Sequence, residues 1–535
     1  MGGGDARHTD TRARRIAAAR RARGRLRATP PAGSRVTTPT FDAFAAQAQA
    51  GAILPVYREL LADMETPLAI YARVCRRAPA FLLESVEGGE HVARYSFIGV
   101  QPLLEFSARG TQVTIRTADG ATTTTVADSP IAELRRRLAA YHAVHLPGLP
   151  RFCGGAVGYI GYGAVRFFED IPQANPNDLA LPDLHFMFTK AVIAFDHVRH
   201  RILVIANAHC DGRPARAVYD EACATIAQVI QQLAQPLPVM PVEPLSPAGL
   251  QDLSDRQPPS NMTPARFMEI VERCKEYVRA GDVIQVVPSQ RFAFSTTASA
   301  LDLYRALRCV NPSPYMFLLQ FDGYALAGSS PELMVRVQDG TAELRPIAGT
   351  RRRGLTPEED LAFERELLAD PKERAEHIML VDLGRNDLGR VCTFGSVRVP
   401  ELMVVERYSH VMHIVSHVSG TVNPGQDAFA VLAATFPAGT VTGAPKIRAM
   451  QIIDEMEACG RGPYAGTVCY FGYDGTLDSC ITIRTMVIKD QTVYVQAGAG
   501  IVADSVPELE YQETVNKARG MMKAITLAEQ LQSRI

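Results

Sequence analysis

Two pairs of glutamates have the spacing best suited to chemistry. Glu373 and Glu376, and 137 positions later Glu510 and Glu513, stand at i and i+3, so on a helix each pair shares one face. Lys517 follows the second pair by one turn. Carboxylate oxygens with few nitrogen or sulfur donors around them suit Mg²⁺ and not zinc. The apolar run Ile378–Leu383 predicts a packed helix whose acids face a cleft. The same spacing also suits a solvated helix face.

Two glycine-rich stretches accompany the acids. Gly498-Ala499-Gly500 follows a strand predicted at Thr492–Gln496, but only helix follows it, so the second parallel strand of a dinucleotide site is missing. Gly439–Lys446 (GTVTGAPK) lacks the Ser/Thr after lysine that a phosphate loop needs. Both still present bare backbone N–H groups, which suit an anion that is not a nucleotide. The run Gly349-Thr350-Arg351-Arg352-Arg353 could grip carboxylates, or form a solvated turn. His410 and His413 lie in the alternating stretch Tyr408–Val418, where a lone histidine is more often structural than catalytic. No Gly-x-Ser-x-Gly elbow is present, and no cysteine lies in an amidotransferase-like elbow, so nucleophilic Ser or Cys catalysis is not indicated.

Some 535 residues at 47% hydrophobic content must position these groups, enough for two or three domains. A net charge of −1 argues against a nucleic-acid or acidic-membrane binder, and no apolar run approaches a membrane span. Ten scattered cysteines without a C-x-x-C pair fit a reducing, cytoplasmic setting. Residues 1–40 hold ten arginines and read as a disordered extension, with a transit peptide as the other reading. Short strands are expected at Leu82–Ser85, Tyr95–Val100 and Val113–Thr117, a helix at Ala132–His142, and a hairpin from Ala191–Phe195 and Ile202–Ala206. An amphipathic helix follows at Ala215–Gln235. Seven prolines within 236–260 mark a linker between an N-terminal domain, 41–235, and a second domain, 261–535. Thr263-Pro264 caps a helix running to Gly281. Asp-Gly pairs at 322, 339 and 474 predict type I′ hairpins, and helices are expected near 356–388, 443–457 and at the end of the chain. Local strand pairing with separate helices indicates an α+β fold.

Several of these stretches together resemble the chorismate-utilising enzymes. They are Arg345-Pro-Ile-Ala-Gly-Thr350, Glu376-His-Ile-Met-Leu-Val-Asp-Leu-Gly-Arg-Asn-Asp387, Tyr408-Ser-His-Val-Met-His413, Gly443-Ala-Pro-Lys446 and Gln496-Ala-Gly-Ala-Gly-Ile501. Phe81-Leu-Leu-Glu-Ser85, Arg94-Tyr-Ser-Phe-Ile-Gly99 and Asn311-Pro-Ser-Pro-Tyr-Met-Phe317 narrow the resemblance to large subunits of anthranilate synthases. It implies antiparallel β-sheets sandwiched together with peripheral helices. It also implies an enzyme of the lyase class that turns chorismate and ammonia into anthranilate and pyruvate with Mg²⁺, the first step toward tryptophan.

On this resemblance Glu376 and Glu513 are metal ligands, supported by Glu373 and Glu510. Gly349, Thr350, Tyr464, Arg484, Gly498, Ala499 and Gly500 hold substrate. His413 serves the pyruvate-eliminating half of the reaction, and Glu332 and Lys517 complete the catalytic lining. Ser85, Pro314, Tyr315 and Met316 form a tryptophan feedback site, with retained interdomain packing as the other reading. Ala348 stands where aminodeoxychorismate synthases often carry a nucleophilic lysine. Gln285 lies in the strand where isochorismate and salicylate synthases place a lysine base. Both favour ammonia as the nucleophile, although a sister chorismate enzyme or a non-catalytic chorismate- or tryptophan-binding regulator is a further reading. The chain stops soon after Lys517, so a separate glutamine amidotransferase subunit in a heterotetramer is expected. Gly163 replaces the aspartate usual in Gly158-Tyr-Ile-Gly-Tyr-Gly163.

Overall fold

The computed structural model describes residues 37–85, 94–172, 175–237, 259–408 and 411–532. Most of the Arg-rich extension, most of the Pro-rich segment and His410 lie outside the described residues.

Local signals set many of the elements. Thr263 Oγ1 accepts from Arg266 N, Pro264 opens the helix Pro264–Ala280, and Gly281 ends it at φ 83°. The single helix expected at 356–388 is two, Pro357–Ala369 and Pro371–Gly389. Asp370 separates them: its carboxylate accepts from Lys372 N and Glu373 N, while Pro371 has no N–H with which to continue the first helix.

The strands form two large sheets. One runs in the order Ser289–Ser295, Thr492–Gly498, Thr485–Lys489, Tyr324–Ser330, Tyr315–Phe321, Ala80–Glu84, Tyr95–Val100, Ala191–Asp196, Arg201–His209, Ala52–Leu61 and His142–Ala143. The other joins Ile347–Arg352, Val411–Thr421, Thr341–Leu344, Leu333–Gln338, Leu477–Ile481, Thr467–Gly472, Gly155–Ile160, Leu184–Phe188, Leu104–Arg109, Gln112–Thr117 and Thr122–Val126, with Arg398–Arg407 also on Val411–Thr421. Pairing is antiparallel apart from the short contact of Ala52–Leu61 with His142–Ala143.

Alternation along the strands builds the layers. On Tyr315–Phe321, Phe317, Leu319 and Phe321 join a cluster between the sheets with Tyr159, Val468 and Tyr470. Met316 and Leu318 face the opposite way, packing with Ile226, Leu307 and Ile525 of three covering helices. The second sheet's other face buries Val335 and Phe186 against Val381, Leu388 and Leu432 of further helices. Each fully buried phenylalanine contributes roughly 1.5–3 kcal/mol. The architecture is the expected α+β sandwich of antiparallel sheets with helices outside. The halves 41–235 and 261–535 do not own separate cores, however. Ala80–Glu84 pairs with Tyr315–Phe321, and Gly155–Ile160 with Thr467–Gly472, so each sheet takes strands from both. Among the described residues no helix is long and apolar enough to cross a membrane.

Candidate active site

The helix Pro371–Gly389 carries Glu373 and Glu376 in its first turns, and Pro507–Gln532 carries Glu510 and Glu513 in the same place. Burial raises the Glu373 carboxyl above its usual range; Arg351 opposes this and Glu376 adds to it. Burial likewise raises Glu510, opposed by Ser505 and by the cations Lys372 and Lys517, with Glu513 adding to it. Lys372 belongs to the other helix, so the two helix starts share one electrostatic neighbourhood.

The glycines fit around these acids. Gly349 has φ 70°, and a β-carbon there would lie 3.1 Å from Glu373 Oε2. Gln285 Nε2 donates to Glu376 Oε1 at 2.9 Å, and a β-carbon on Gly500 would lie 2.7 Å from that nitrogen. Lys517 Nζ donates to Gly498 O at 2.9 Å and stands 2.6 Å from Glu513 Oε1, tying the last helix to the glycine run. Tyr464 is buried, its phenol pushed up to about 12 by burial, and its oxygen would lie 2.9 Å from a β-carbon on Gly498. Ala499 is fully buried.

His413 sits on Val411–Thr421 opposite Thr350, where a register shift between Ala348 and Thr350 turns the Gly349 carbonyl toward the ring. Its Nδ1 lies 3.1 Å from Gly349 O and 3.0 Å from Thr350 Oγ1. The carbonyl can only accept, which places a proton on Nδ1 and leaves Nε2 basic. Burial holds the imidazole below its usual pKa, with Arg484 acting the same way and Glu406 and the Gly349 bond opposing. Arg484, at φ 50°, occupies the crossing from Leu477–Ile481 in one sheet to Thr485–Lys489 in the other. Its guanidinium has no hydrogen bond or ion pair with the described residues. Burial lowers its pKa, opposed by Tyr464 and Glu513. A bare cation of this kind can hold a carboxylate. Glu332 is buried, accepts from Thr440 Oγ1 at 2.9 Å, and is pushed up to about 8 by burial despite Lys517.

Other features have purely internal partners. Arg351 pairs with Glu366, Asp370 and Glu373, Arg352 with Glu359, and Arg353 with Asp360, so the triple arginine is neither a free clamp nor a bare solvated turn. Lys446 donates to Asp387 Oδ2 at 2.9 Å and Thr435 O at 2.8 Å. Thr440, inside GTVTGAPK, is the site residue that sequence reasoning missed; a threonine in a glycine-rich run carries no signal of a partner 108 positions away.

Among the described residues no three His, Cys, Asp or Glu side chains gather as a metal-ligand group. The acids come instead as two pairs. Mg²⁺ commonly takes one or two carboxylates and completes its shell with water and substrate oxygens. Half-buried, mutually repelling carboxylates are the donor set such an ion stabilises, so the residues fit it.

Away from this site, Ser85, Pro314, Tyr315 and Met316 all line a cavity of about 690 Å³. Strands of both sheets form its walls. Tyr315 Oη donates to Asp478 Oδ1 at 3.1 Å and Arg336 Nε to Oδ2 at 3.2 Å. Glu84, paired with Met316 on the neighbouring strand, also lines the cavity, and its Oε2 accepts from Tyr304 Oη at 2.7 Å.

A family model described as chorismate binding enzyme matches residues 78–523. Anthranilate synthase component 1 of Acetivibrio thermocellus is 47% identical over 493 residues, covering 92% of this chain and 99% of that protein. The Acinetobacter calcoaceticus component 1 is 48% identical, covering 89% and 95%. The crystal structure of anthranilate synthase component I from Streptococcus pneumoniae matches at 38% identity and a TM-score of 0.70, covering 86% of this chain and 99% of that one. The menaquinone-specific isochorismate synthase of Escherichia coli, at 18% identity and a TM-score of 0.63, shares the fold. The chain belongs to the chorismate-binding enzymes and, within them, to the anthranilate synthase component 1 family.

Proposed function

We propose that the chain converts chorismate and ammonia to anthranilate, pyruvate and water. The observation that carries this reading is Gln285, whose amide donates to Glu376 where a water-activating lysine would otherwise stand. An amide cannot act as a base, and Ala348 cannot attack the ring, so the nucleophile comes from outside the chain. Near-full-length likeness to component 1 proteins supports the same choice.

Glu376 and Glu513, backed by Glu373 and Glu510, would hold Mg²⁺, which when bound supplies Lewis acidity at a substrate carboxylate and the departing hydroxyl. Arg484 and the Gly500 N–H grip a carboxylate, Gly498 and Ala499 hold that backbone in place, the Ala499 N–H donating to Pro288 O at 3.2 Å, and Gly349, Thr350 and Tyr464 shape the cleft. Glu332, kept neutral by burial, donates a proton to the leaving hydroxyl. His413, neutral and basic at Nε2, takes the proton released as the ring becomes aromatic and pyruvate leaves.

Ammonia would come from the glutaminase subunit that the name component 1 implies. The 690 Å³ cavity, lined by Ser85, Pro314, Tyr315 and Met316, suits tryptophan: apolar walls for the indole, with carboxylates and arginines for its charged end. The test is incubation of the purified chain with chorismate, Mg²⁺ and ammonium, watching for anthranilate fluorescence, with Glu513→Gln as control. Ammonium should support turnover and glutamine should not. A hydroxylated product, or glutamine-dependent turnover by the lone chain, would overturn the reading.

A further inference from the structure

Glu332 is useful as an acid only if its proton faces the reacting hydroxyl, and either carboxyl oxygen can carry that proton. Thr440 breaks the symmetry. Its Oγ1–H donates to Glu332 Oε1 at 2.9 Å, so the two oxygens differ: with that bond kept in the neutral acid, Oε1 is the acceptor and Oε2 carries the proton. Backbone contacts hold the pair in place. Ile481 N donates to Glu332 O at 3.1 Å. Thr440 lies in the single 3₁₀ turn Gly439–Val441, fixed on both sides. Before it, a β-carbon on Gly439 would come within 2.3 Å of Leu383 Cδ2, so the turn sits directly on the helix bearing Glu373 and Glu376. After it, Val441 O accepts from Arg461 Nη1 at 2.8 Å, and Arg461 is itself buried against Glu457.

We infer that Thr440 is a positioning residue that fixes which oxygen of Glu332 carries the transferable proton. The inference rests on the function proposed above. It accounts for the part of GTVTGAPK that substrate and metal leave unused: Gly439 seats the turn, Thr440 orders the acid, and Lys446 anchors the following helix through Asp387. Around the carboxyl, Lys517 is the cation that acts on it, while Arg345 and Asp387 line the small cavity beside it.

The test uses the full chain. Difference infrared spectra of wild type minus Glu332→Gln, followed over pH, read the Glu332 carboxyl directly. Thr440→Val keeps the shape and removes a donor that favours the carboxylate form, so the titration should move up by about one pH unit. With ammonium, kcat should fall on the order of 100-fold while KM for chorismate stays within about twofold. Thr440→Ser should restore both. Thr440→Ala gives the same readout if valine does not fit. A titration unmoved in the hydroxyl-free variants, or a serine variant as impaired as valine, would overturn the inference. Failure of wild type to form anthranilate would sink the proposed function instead, and the infrared titration would still decide whether Thr440 holds Glu332.

Discussion

Gln285 and Gly500 are fitted to each other. The nitrogen that donates to Glu376 at 2.9 Å occupies space that a β-carbon at position 500 would approach to 2.7 Å. A glycine requirement that looks like room for substrate is therefore also room for the side chain that orients a metal-ligand candidate.

Gly500→Ala should push the Gln285 amide off Glu376. We expect kcat/KM for chorismate to fall about 10- to 100-fold, with the midpoint of thermal unfolding nearly unchanged. Steady-state kinetics over a range of Mg²⁺ concentrations, beside a melting curve, check this. A variant with wild-type kinetics would show that the contact is idle.

Glu332 predicts a pH signature in stability. Its folded carboxyl is raised from 4.5 to about 8, so its contribution is fully present below about 4.5 and is lost as pH rises through 8. Chemical denaturation of wild type and Glu332→Gln at pH 5 and pH 8.5 should show the difference between them changing by a few kcal/mol, with wild type losing ground at the higher pH. Parallel changes in both proteins would mean that the carboxyl titrates as an ordinary surface acid.

His413→Ala should separate the two halves of the reaction. Loss of a general base costs about 10²- to 10⁴-fold, and here the loss should fall on pyruvate release. Chorismate consumption followed by chromatography should outrun pyruvate, with a ring-aminated, non-aromatic intermediate accumulating. Because the imidazole is held below its usual pKa, wild-type activity should also persist below pH 6.5. Equal loss of both halves would remove the assigned role.

Ser85→Phe should fill part of the 690 Å³ cavity. The tryptophan concentration for half-inhibition should rise at least about tenfold, since a filled pocket loses a few kcal/mol of contact. The chain contains no tryptophan, so all indole emission comes from the ligand and its change on binding reports the site. Inhibition and uninhibited activity falling together would make this wall structural.

Much of the architecture was legible where one short stretch decides it. Thr263, Pro264 and Gly281 mark their helix because caps act within a turn. Asp339-Gly340 adopts the left-handed pair of φ values, 50° and 73°, that a type I′ turn needs, whereas at Asp322-Gly323 only the glycine does. The matching turn at Asp490-Gln491, with φ 49° and 57°, went unread because it contains no glycine. Nonlocal matters were hidden. Seven prolines report a connection in the chain, yet pairing of Ala80–Glu84 with Tyr315–Phe321 depends on edges that only the folded sheet creates. Likewise spacing picks out the two glutamate pairs and Lys517, one turn past Glu513, but not the donors Gln285 and Arg351, which lie 91 and 22 positions from their partners.

The shared sheets constrain how the protein can be made. During synthesis the strands Ala80–Glu84 and Gly155–Ile160 leave the ribosome well before Tyr315–Phe321 and Thr467–Gly472, their eventual neighbours. Until those arrive, the early half presents two open, apolar strand edges, the condition that invites pairing with other chains. At about 5–20 residues per second the longer wait, some 300 residues, lasts on the order of 15–60 seconds. Slow translation, or separate expression of the two halves, should therefore favour aggregation, and coexpressed halves should become soluble only by completing each other's sheets.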